Sequence, residues 1–369
     1  MKLCVIYNFA AHYRAPIFVK IDQSFDCDWC FGDRYDDVKK MDYSLLRGKV
    51  YEVSSLRLPG GLIFRPGIQR LLGKDYDTYL LLGESRVLST WLFCVRARLF
   101  YPHKRLYFWS HGWYGKETKI EGILKKWLFL LPNGGVFLYN SHAKSLMIKE
   151  GFNPDRLYVI HNSLDYDRQL EIRKQLVPSS IYQDHFGNSH PNLFFVGRLT
   201  KVKRLDMVLM AMSILRNKGN RYNMTFIGNG TELDALKSLA EELNLSKNVW
   251  FYGACYNENL LGEMIYNADL CVAPGNIGLT AMHSLVFGTP AITHNDFTHQ
   301  MPEYEAIHDG ETGTFFECGS IISLAEGIAR WFDEHRDDRK TVRQACMREI
   351  DDNWTPNFQI QVLKNILLK

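Results

Sequence analysis

Pro274-Gly-Asn-Ile-Gly-Leu-Thr-Ala-Met-His-Ser-Leu-Val-Phe-Gly-Thr-Pro290 is the stretch on which the fold turns. An apolar run, Asp269-Leu-Cys-Val-Ala273, leads into it, and a short β-like run, Ala291-Ile-Thr293, follows it. Pro274, Gly275 and Asn276 read as a turn, Gly278 to Phe287 as one helix, and Gly288-Thr-Pro290 as its end. Strand, glycine turn, helix, strand is the layout in which a helix N-terminus meets an anion, because its free N–H groups and the positive end of its dipole favour negative charge. The stretch therefore reads as a phosphate-docking turn.

Outward from it the same alternation recurs. In the second half, Asn192-Leu-Phe-Phe-Val196, Asn223-Met-Thr-Phe-Ile227 and Val249-Trp-Phe-Tyr252 read as strands, with helices at Leu205 to Arg216 and Glu232 to Leu243. In the first half the strands are Leu3 to Tyr7, Asp26 to Gly32, Asp77 to Leu82, Arg105 to Trp109, Gly135 to Tyr139 and Leu157 to His161. Helices are expected at Ile17 to Gln23, Val87 to Phe100, Ile120 to Leu131 (amphipathic) and Ala143 to Glu150. Strands alternating with helices predict two Rossmann-like α/β domains with parallel sheets. Residues 33–70 read as an acceptor-facing insertion, and 166–190, charged and then rich in Pro, Ser, Asn and Gly, as the inter-domain connection. The expected division is 1–167, a linker at 168–190, a second domain at 191–350, and a C-terminal helix at 351–369 returning to the first domain.

A chain of 369 residues with 46% hydrophobic and 23% charged residues has the composition of a globular protein, and two domains fit its length. A net charge of +3 and a pI near 8.3 are too mild to indicate nucleic acid as a partner. The charge is uneven: Arg86, Arg96, Arg98, His103, Lys104, Arg105, Lys116, Lys119, Lys125 and Lys126 face only Glu117 and Glu121 in the same segment. That predicts contact with an anionic membrane surface or an anionic acceptor, with a solvated basic face as the plain alternative. Eight scattered cysteines suit reduced, buried thiols, and Cys27-Asp-Trp-Cys30 has no second pair to make a zinc site. No secretory leader and no membrane-spanning run are visible, so a cytoplasmic protein is expected.

Arg198 and Lys203, in the loop after the first strand of the second half, suit a diphosphate grip: cations at a helix start are unfavourable unless an anion sits there. Gly197, Gly228, Gly230, Gly275 and Gly278 stand at strand ends or helix starts, and Gly275 and Gly278 are read as places of close backbone approach to a ligand. His111, after a strand and before a glycine, is the candidate for a contact to a sugar hydroxyl or a developing charge, against a structural histidine. Glu303 and Glu305 are candidates for ribose or sugar contact, and His12, Tyr13 and Arg14 for the first βα loop's ligand. Histidines and cysteines lack metal-ligand spacing, so no metal is expected.

Taken in order, Gly197-Arg-Leu-x3-Lys203, Phe226-Ile-Gly-Asn-Gly230-x-Glu232, Val249-x-Phe-x-Gly253, Ala268-Asp-Leu-x-Val-x-Pro274, Gly278-Leu-x3-His-Ser-Leu-x-Phe-Gly288-Thr-Pro290 and Asp309-Gly-x-Thr-Gly313 resemble the family 4 glycosyltransferases. The resemblance covers most of 192–332. The first half matches more weakly, through His111-Gly112 and Val159-Ile-His-Asn-Ser163. It implies a GT-B fold, two Rossmann-like domains facing a central cleft, and retaining transfer of a hexose-type sugar from a nucleotide diphosphate sugar without a bound metal. A UDP-sugar is the expected donor, with a glycan or lipid-linked glycan as acceptor in surface polysaccharide synthesis. It also implies that Arg198 and Lys203 hold the diphosphate, that His111 lies near the donor sugar, and that the stretch Gly275, Asn276, Ile277, Gly278, Leu279 reads the donor together with His283 and Glu305. His12, Tyr13 and Arg14 would meet the acceptor. One departure stands out: the family's two glutamates, eight positions apart, align with Gly275 and His283. Two other readings stay open, a GT-B nucleotide-sugar enzyme of the epimerase type and a non-catalytic GT-B subunit.

Overall fold

Along the first strand, Leu3, Val5 and Tyr7 enter one apolar cluster while Cys4 and Ile6 enter another. Side chains alternate across a strand, so a run that is apolar at every position is stable only where both faces are covered. That requirement shapes both halves of the chain. The computed structural model describes residues 1–33 and 38–369 and divides them into two units, Met1–Asp165 with Thr355–Lys369, and Tyr166–Trp354.

Unit 1 runs β1 (Lys2–Tyr7), α1 (Ala15–Ser24), β2 (Asp26–Gly32), β3 (Val50–Val53), β4 (Leu56–Leu58), β5 (Leu62–Phe64), β6 (Thr78–Leu82), α2 (Leu88–Phe100), β7 (Arg105–Ser110), α3 (Lys119–Phe129), β8 (Gly135–Leu138), α4 (Ser141–Lys149) and β9 (Leu157–Val159). Seven of these strands form a parallel sheet in the order β3-β2-β1-β6-β7-β8-β9, and β4 and β5 make a separate antiparallel hairpin. The order reverses direction between β1 and β6. At such a switch point the loops leaving the two strands diverge and open a crevice at their carboxyl ends.

Unit 2 runs α5 (Tyr166–Arg173), α6 (Ile181–Phe186), β10 (Asn192–Val196), α7 (Asp206–Asn217), β11 (Asn223–Ile227), α8 (Leu233–Glu242), β12 (Val249–Gly253), α9 (Glu258–Asn267), β13 (Leu270–Ala273), α10 (Leu279–Val286), β14 (Ala291–His294), β15 (Gly313–Phe316), α11 (Ile321–Glu334) and α12 (Arg339–Asn353). Its parallel sheet has the order β12-β11-β10-β13-β14-β15, so the switch point lies between β10 and β13. The chain then ends in α13 (Pro356–Leu367), whose Ile360, Leu363 and Leu367 are buried in the same cluster as β1 and α1 of unit 1. Thr355 caps it by accepting from the Phe358 N–H, and Pro356 fills the first helical position, where a missing N–H costs nothing.

Two expectations differ from what is observed. The segment 168–190 is not a bare connection, since it carries most of α5 and all of α6, and Ile172 and Tyr182 of those helices are buried. Residues 33–70 are more than an insertion on the surface, because β3 extends the sheet and Met41, Leu46 and Ile68 enter the core; residues 34–37 of that stretch lie outside the described residues. Cys27 and Cys30, by contrast, are the buried free thiols expected: three apart on one strand, they fall on opposite faces and enter different clusters, so they cannot act as a vicinal pair.

Candidate functional site

In unit 2 the loops after β10 and β13 meet at the switch point. Lys203 closes the first loop, and its Nζ donates to the Asn276 carbonyl (2.6 Å) and to Asn276 Oδ1 (2.7 Å). In return the Gly275 N–H donates to the Lys203 carbonyl (3.0 Å). The turn is held from below by Gln300, whose Oε1 accepts from the Ile277 N–H (2.9 Å) while its Nε2 donates to Thr293 Oγ1 (2.8 Å) and the His294 carbonyl (3.0 Å). Thr280 Oγ1 donates to the Val196 carbonyl (2.8 Å), which fixes the first turn of α10 over the end of β10. Burial pushes the Lys203 ammonium down to about 8; the Glu303 carboxyl pulls it back up and the Arg198 charge pushes it down further. Arg198 and Lys203 are therefore neighbours, the first exposed and the second half-buried.

The glycines owe their identity first to the protein. A Cβ on Gly275 would lie 2.1 Å from the Val202 carbonyl oxygen and 2.8 Å from the Lys203 backbone. Cβ atoms on Gly228 and Gly230 would lie 1.9 and 2.1 Å from the carbonyl oxygens of Gly197 and Leu199. The expectation that Gly275 is small to admit a ligand thus needs correcting, since what approaches it is the loop carrying Lys203. Gly278, at φ +55°, sets the direction in which α10 starts. Ile277 is fully buried and its N–H is taken by Gln300, so it supports the turn rather than offering a contact. Among the described residues the N–H groups of Gly278 and Leu279 have no protein partner, and these remain for an anion at the head of α10.

His283 lies on α10 with a half-buried ring whose Nδ1 is buried without a hydrogen-bond partner. Burial pushes it down to about 4, so it is a neutral imidazole at pH 7. Glu303 is 2% exposed and Glu305 is half-buried; Glu303 is the carboxylate whose charge Lys203 feels.

In unit 1 the switch point between β1 and β6 opens into a cavity of about 490 Å³. Tyr13, Arg14 and His111 line it, together with Tyr7, Glu84, Arg86, Lys125 and Tyr139. His12 lies outside that lining; its Nδ1 is 3.2 Å from the Lys39 carbonyl. Arg14 donates from Nη2 to Tyr139 Oη (2.8 Å) and lies over the rings of Tyr7, Trp109 and Tyr139. Among the described residues no carboxylate pairs with this guanidinium. The hydroxyls of Tyr7 and Tyr139 are 2.9 Å apart, so the cation is embedded in a ring of phenols.

His111 follows β7, its ring 4.7 Å from that of Tyr139 and its Nδ1 buried without a partner. Burial, then the charges of Arg14 and Lys125, push it down to about 4, so it too is neutral. Lys125 is fixed by Glu117 (2.7 Å) and lies over the rings of Trp113 and Tyr114. Burial alone would raise the Glu117 carboxyl, but hydrogen bonds from Lys125 and the Tyr114 N–H outweigh it and hold it below its usual range. Gln300, Tyr139 and the Glu117–Lys125 pair were not among the expected site residues, because nothing local marks a side chain whose partner lies on another element.

Both histidines, each with its Nδ1 buried, have a consequence for acid stability. Each has a folded-state pKa below its unfolded value near 6.5, so each contributes stability that is complete above about pH 6.5 and is lost as pH falls through about 4. Urea unfolding across that window should show stability dropping, with a smaller drop in His283→Leu. A flat profile in both proteins would show that the imidazoles are not held neutral.

Three comparisons bear on this geometry. Residues 183–346, all within unit 2, match the family model described as glycosyl transferases group 1. A putative glycosyltransferase, EpsD of Bacillus subtilis (strain 168), is 27% identical over 143 residues, which is 38% of this chain and 36% of that relative. The chain thus aligns with about a third of that relative's length. Among solved structures, the lipopolysaccharide outer core galactosyltransferase WaaB in its apo form superposes with a TM-score of 0.74 at 15% identity, covering 100% of this chain and 99% of that one. The Anabaena protein HepE in complex with UDP gives 0.74 at 14% identity, covering 100% of both chains.

The chain has the GT-B fold.

In GT-B terms, unit 2 is the half that carries the group 1 match, and its switch point holds Arg198, Lys203 and the head of α10. Unit 1 supplies the second Rossmann-like half with the Arg14–His111 cavity.

Proposed function

We propose that the protein is a retaining glycosyltransferase. It moves a hexose-type sugar from a nucleotide diphosphate sugar, with UDP as the nucleotide, to a glycan or lipid-linked glycan acceptor in surface polysaccharide synthesis on the cytoplasmic side of the membrane. The observation that carries this reading is the pair of cations at the head of α10: Lys203, anchored on Asn276, with Arg198 beside it. Negative charge builds on the leaving phosphate as the glycosidic bond breaks, and an anchored ammonium, a second cation beside it and the free N–H groups of a helix stabilise it. They supply the charge that a metal would otherwise bring, so the reaction is read as metal-independent.

In this reading Gly197, Gly228 and Gly230 pack the loops that carry the cations, and the turn from Gly275 to Leu279 offers the diphosphate the N–H groups of Gly278 and Leu279. His283 and Glu305 contact the donor's ribose or sugar. His111, neutral and lining the cavity, offers a hydrogen bond to a sugar hydroxyl, while Tyr13 and Arg14 belong to the acceptor side. The match to glycosyl transferases group 1 and the UDP bound in the HepE structure support the choice of donor.

A thermal-shift screen of UDP-, GDP-, ADP- and CMP-sugars tests it, because a ligand that binds only the folded state raises apparent stability. UDP-sugars should give the largest shift, followed by transfer of the sugar to a lipid-linked glycan with retained anomeric configuration. No shift with any of the four counts against the donor reading. A shift with the sugar altered but never transferred points to the epimerase type.

A further inference from the structure

Helices α2 and α3 present apolar side chains to the outside. On α3, Ile120, Ile123, Leu124 and Trp127 recur at i, i+3, i+4 and i+7, the spacing of one helical face, and they are 72%, 58%, 52% and 67% exposed. The inner face of the same helix is already occupied: Leu128 and Phe129 are buried, and Lys125 is tied to Glu117. On α2, Phe93, Cys94 and Ala97 enter the same cluster as Leu128 and Phe129, while Leu99 and Phe100 are each 68% exposed. Arg98 Nη1 donates to the Leu130 carbonyl (3.2 Å), which joins the end of α2 to the end of α3 and makes the two stripes neighbours. In unit 2 the exposed large apolar side chains, Val177, Val202, Tyr256 and Ile322, are scattered through the sequence, which is ordinary for a surface.

The charge around the patch decides what covers it. Arg96, Arg98, Lys116 and Lys119 are exposed on or beside these helices. The nearby acids are already engaged: Glu117 holds Lys125, and Glu121 closes a capping box with Thr118. A symmetric contact between two copies would set these cations against each other, whereas anionic headgroups complement them. Among the described residues no helix is long and apolar enough to cross a membrane, so the arrangement is that of a helix lying in an interface.

We infer that α2 and α3 dock the protein on an anionic lipid bilayer, with α3 in the headgroup plane and Trp127 at the acyl boundary. Lys125, on the inner side of α3, lines the unit 1 cavity, so that cavity sits one helix away from the lipid surface. An acceptor carried on a lipid would reach it without leaving the bilayer. That last step rests on the transferase reading. The docking does not, and it is measured with no donor or acceptor present.

The test is sedimentation of the full chain with vesicles of phosphatidylcholine alone and of phosphatidylcholine mixed with phosphatidylglycerol. Binding is expected only to the anionic vesicles, weakening as salt is raised. The double variant Ile123→Ser, Trp127→Ser should lower the partition coefficient by about tenfold or more, with an unchanged melting temperature because both side chains are exposed. Lys116→Glu with Lys119→Glu should remove the preference for anionic vesicles. The inference is overturned if the unmodified protein stays in the supernatant, or if both variants bind as it does. It is also overturned if light scattering shows a dimer that Ile123→Ser, Trp127→Ser converts to a monomer while no vesicle binding is seen, which would make the face a contact between copies.

Discussion

Lys203→Ala is expected to lower kcat/KM for sugar transfer by about a thousandfold, the scale seen when a preorganised charge at the leaving group is removed. Two things are lost together. The leaving diphosphate loses a fixed cation, and the turn at Asn276 loses the ammonium that holds both its carbonyl and its side chain. Arg198→Ala separates these effects. Arg198 is exposed, so removing it should weaken donor binding and transfer while leaving the urea midpoint alone. Lys203→Ala should lower both. Activity also carries the sign of the Lys203 titration: its ammonium is present below about pH 8 and lost above it, so donor affinity should fall as pH rises through about 8. That fall should disappear in Lys203→Arg, whose guanidinium stays charged. If transfer and donor affinity are unchanged in both alanine variants, the diphosphate lies elsewhere.

Gly275→Glu is the second large effect. It restores the carboxylate that the family resemblance places at this position, and on sequence grounds alone it should help. The structure predicts the opposite. The new Cβ would overlap the Val202 carbonyl and the Lys203 backbone, both main-chain groups that cannot swing aside. The loop must move, and with it the Lys203–Asn276 bonds. A loss of about 3 kcal/mol in stability is expected, in the range of overpacking and broken buried networks. Transfer should fall with it. Urea denaturation and initial rates check both, and a variant as stable as the parent with raised activity would show that the loop yields and that the carboxylate is simply missing.

Much of the architecture was legible in the chain itself. Runs such as Leu3 to Tyr7 and Leu193 to Val196 are apolar at every position, which fits only strands covered on both faces, and the helices between them follow from their period. The cationic loop and the turn at Gly275 were also readable, because each lies just after such a strand. What was not legible is whatever depends on a partner far away in sequence. α5 has buried only Gln169 and Ile172, too few apolar positions to show a period, and so it reads as linker. Periodicity marks the apolar face of α3 but carries no information on whether that face looks inward. Gln300, the residue that braces the turn, is one polar residue among many until Ile277, Thr293 and His294 are seen around it.

The return of α13 to unit 1 bears on how the chain is made. Unit 2 is an uninterrupted stretch and can close as soon as its last helix has left the ribosome, whereas residues 1–165 must wait for residues 355–369. Until Ile360, Leu363 and Leu367 arrive, the groove they fill beside β1 and α1 is open. The nascent protein therefore carries an unsealed apolar slot throughout the production of its second half, a window in which chaperones have something to hold and a ribosome that stops early releases a product that cannot finish folding.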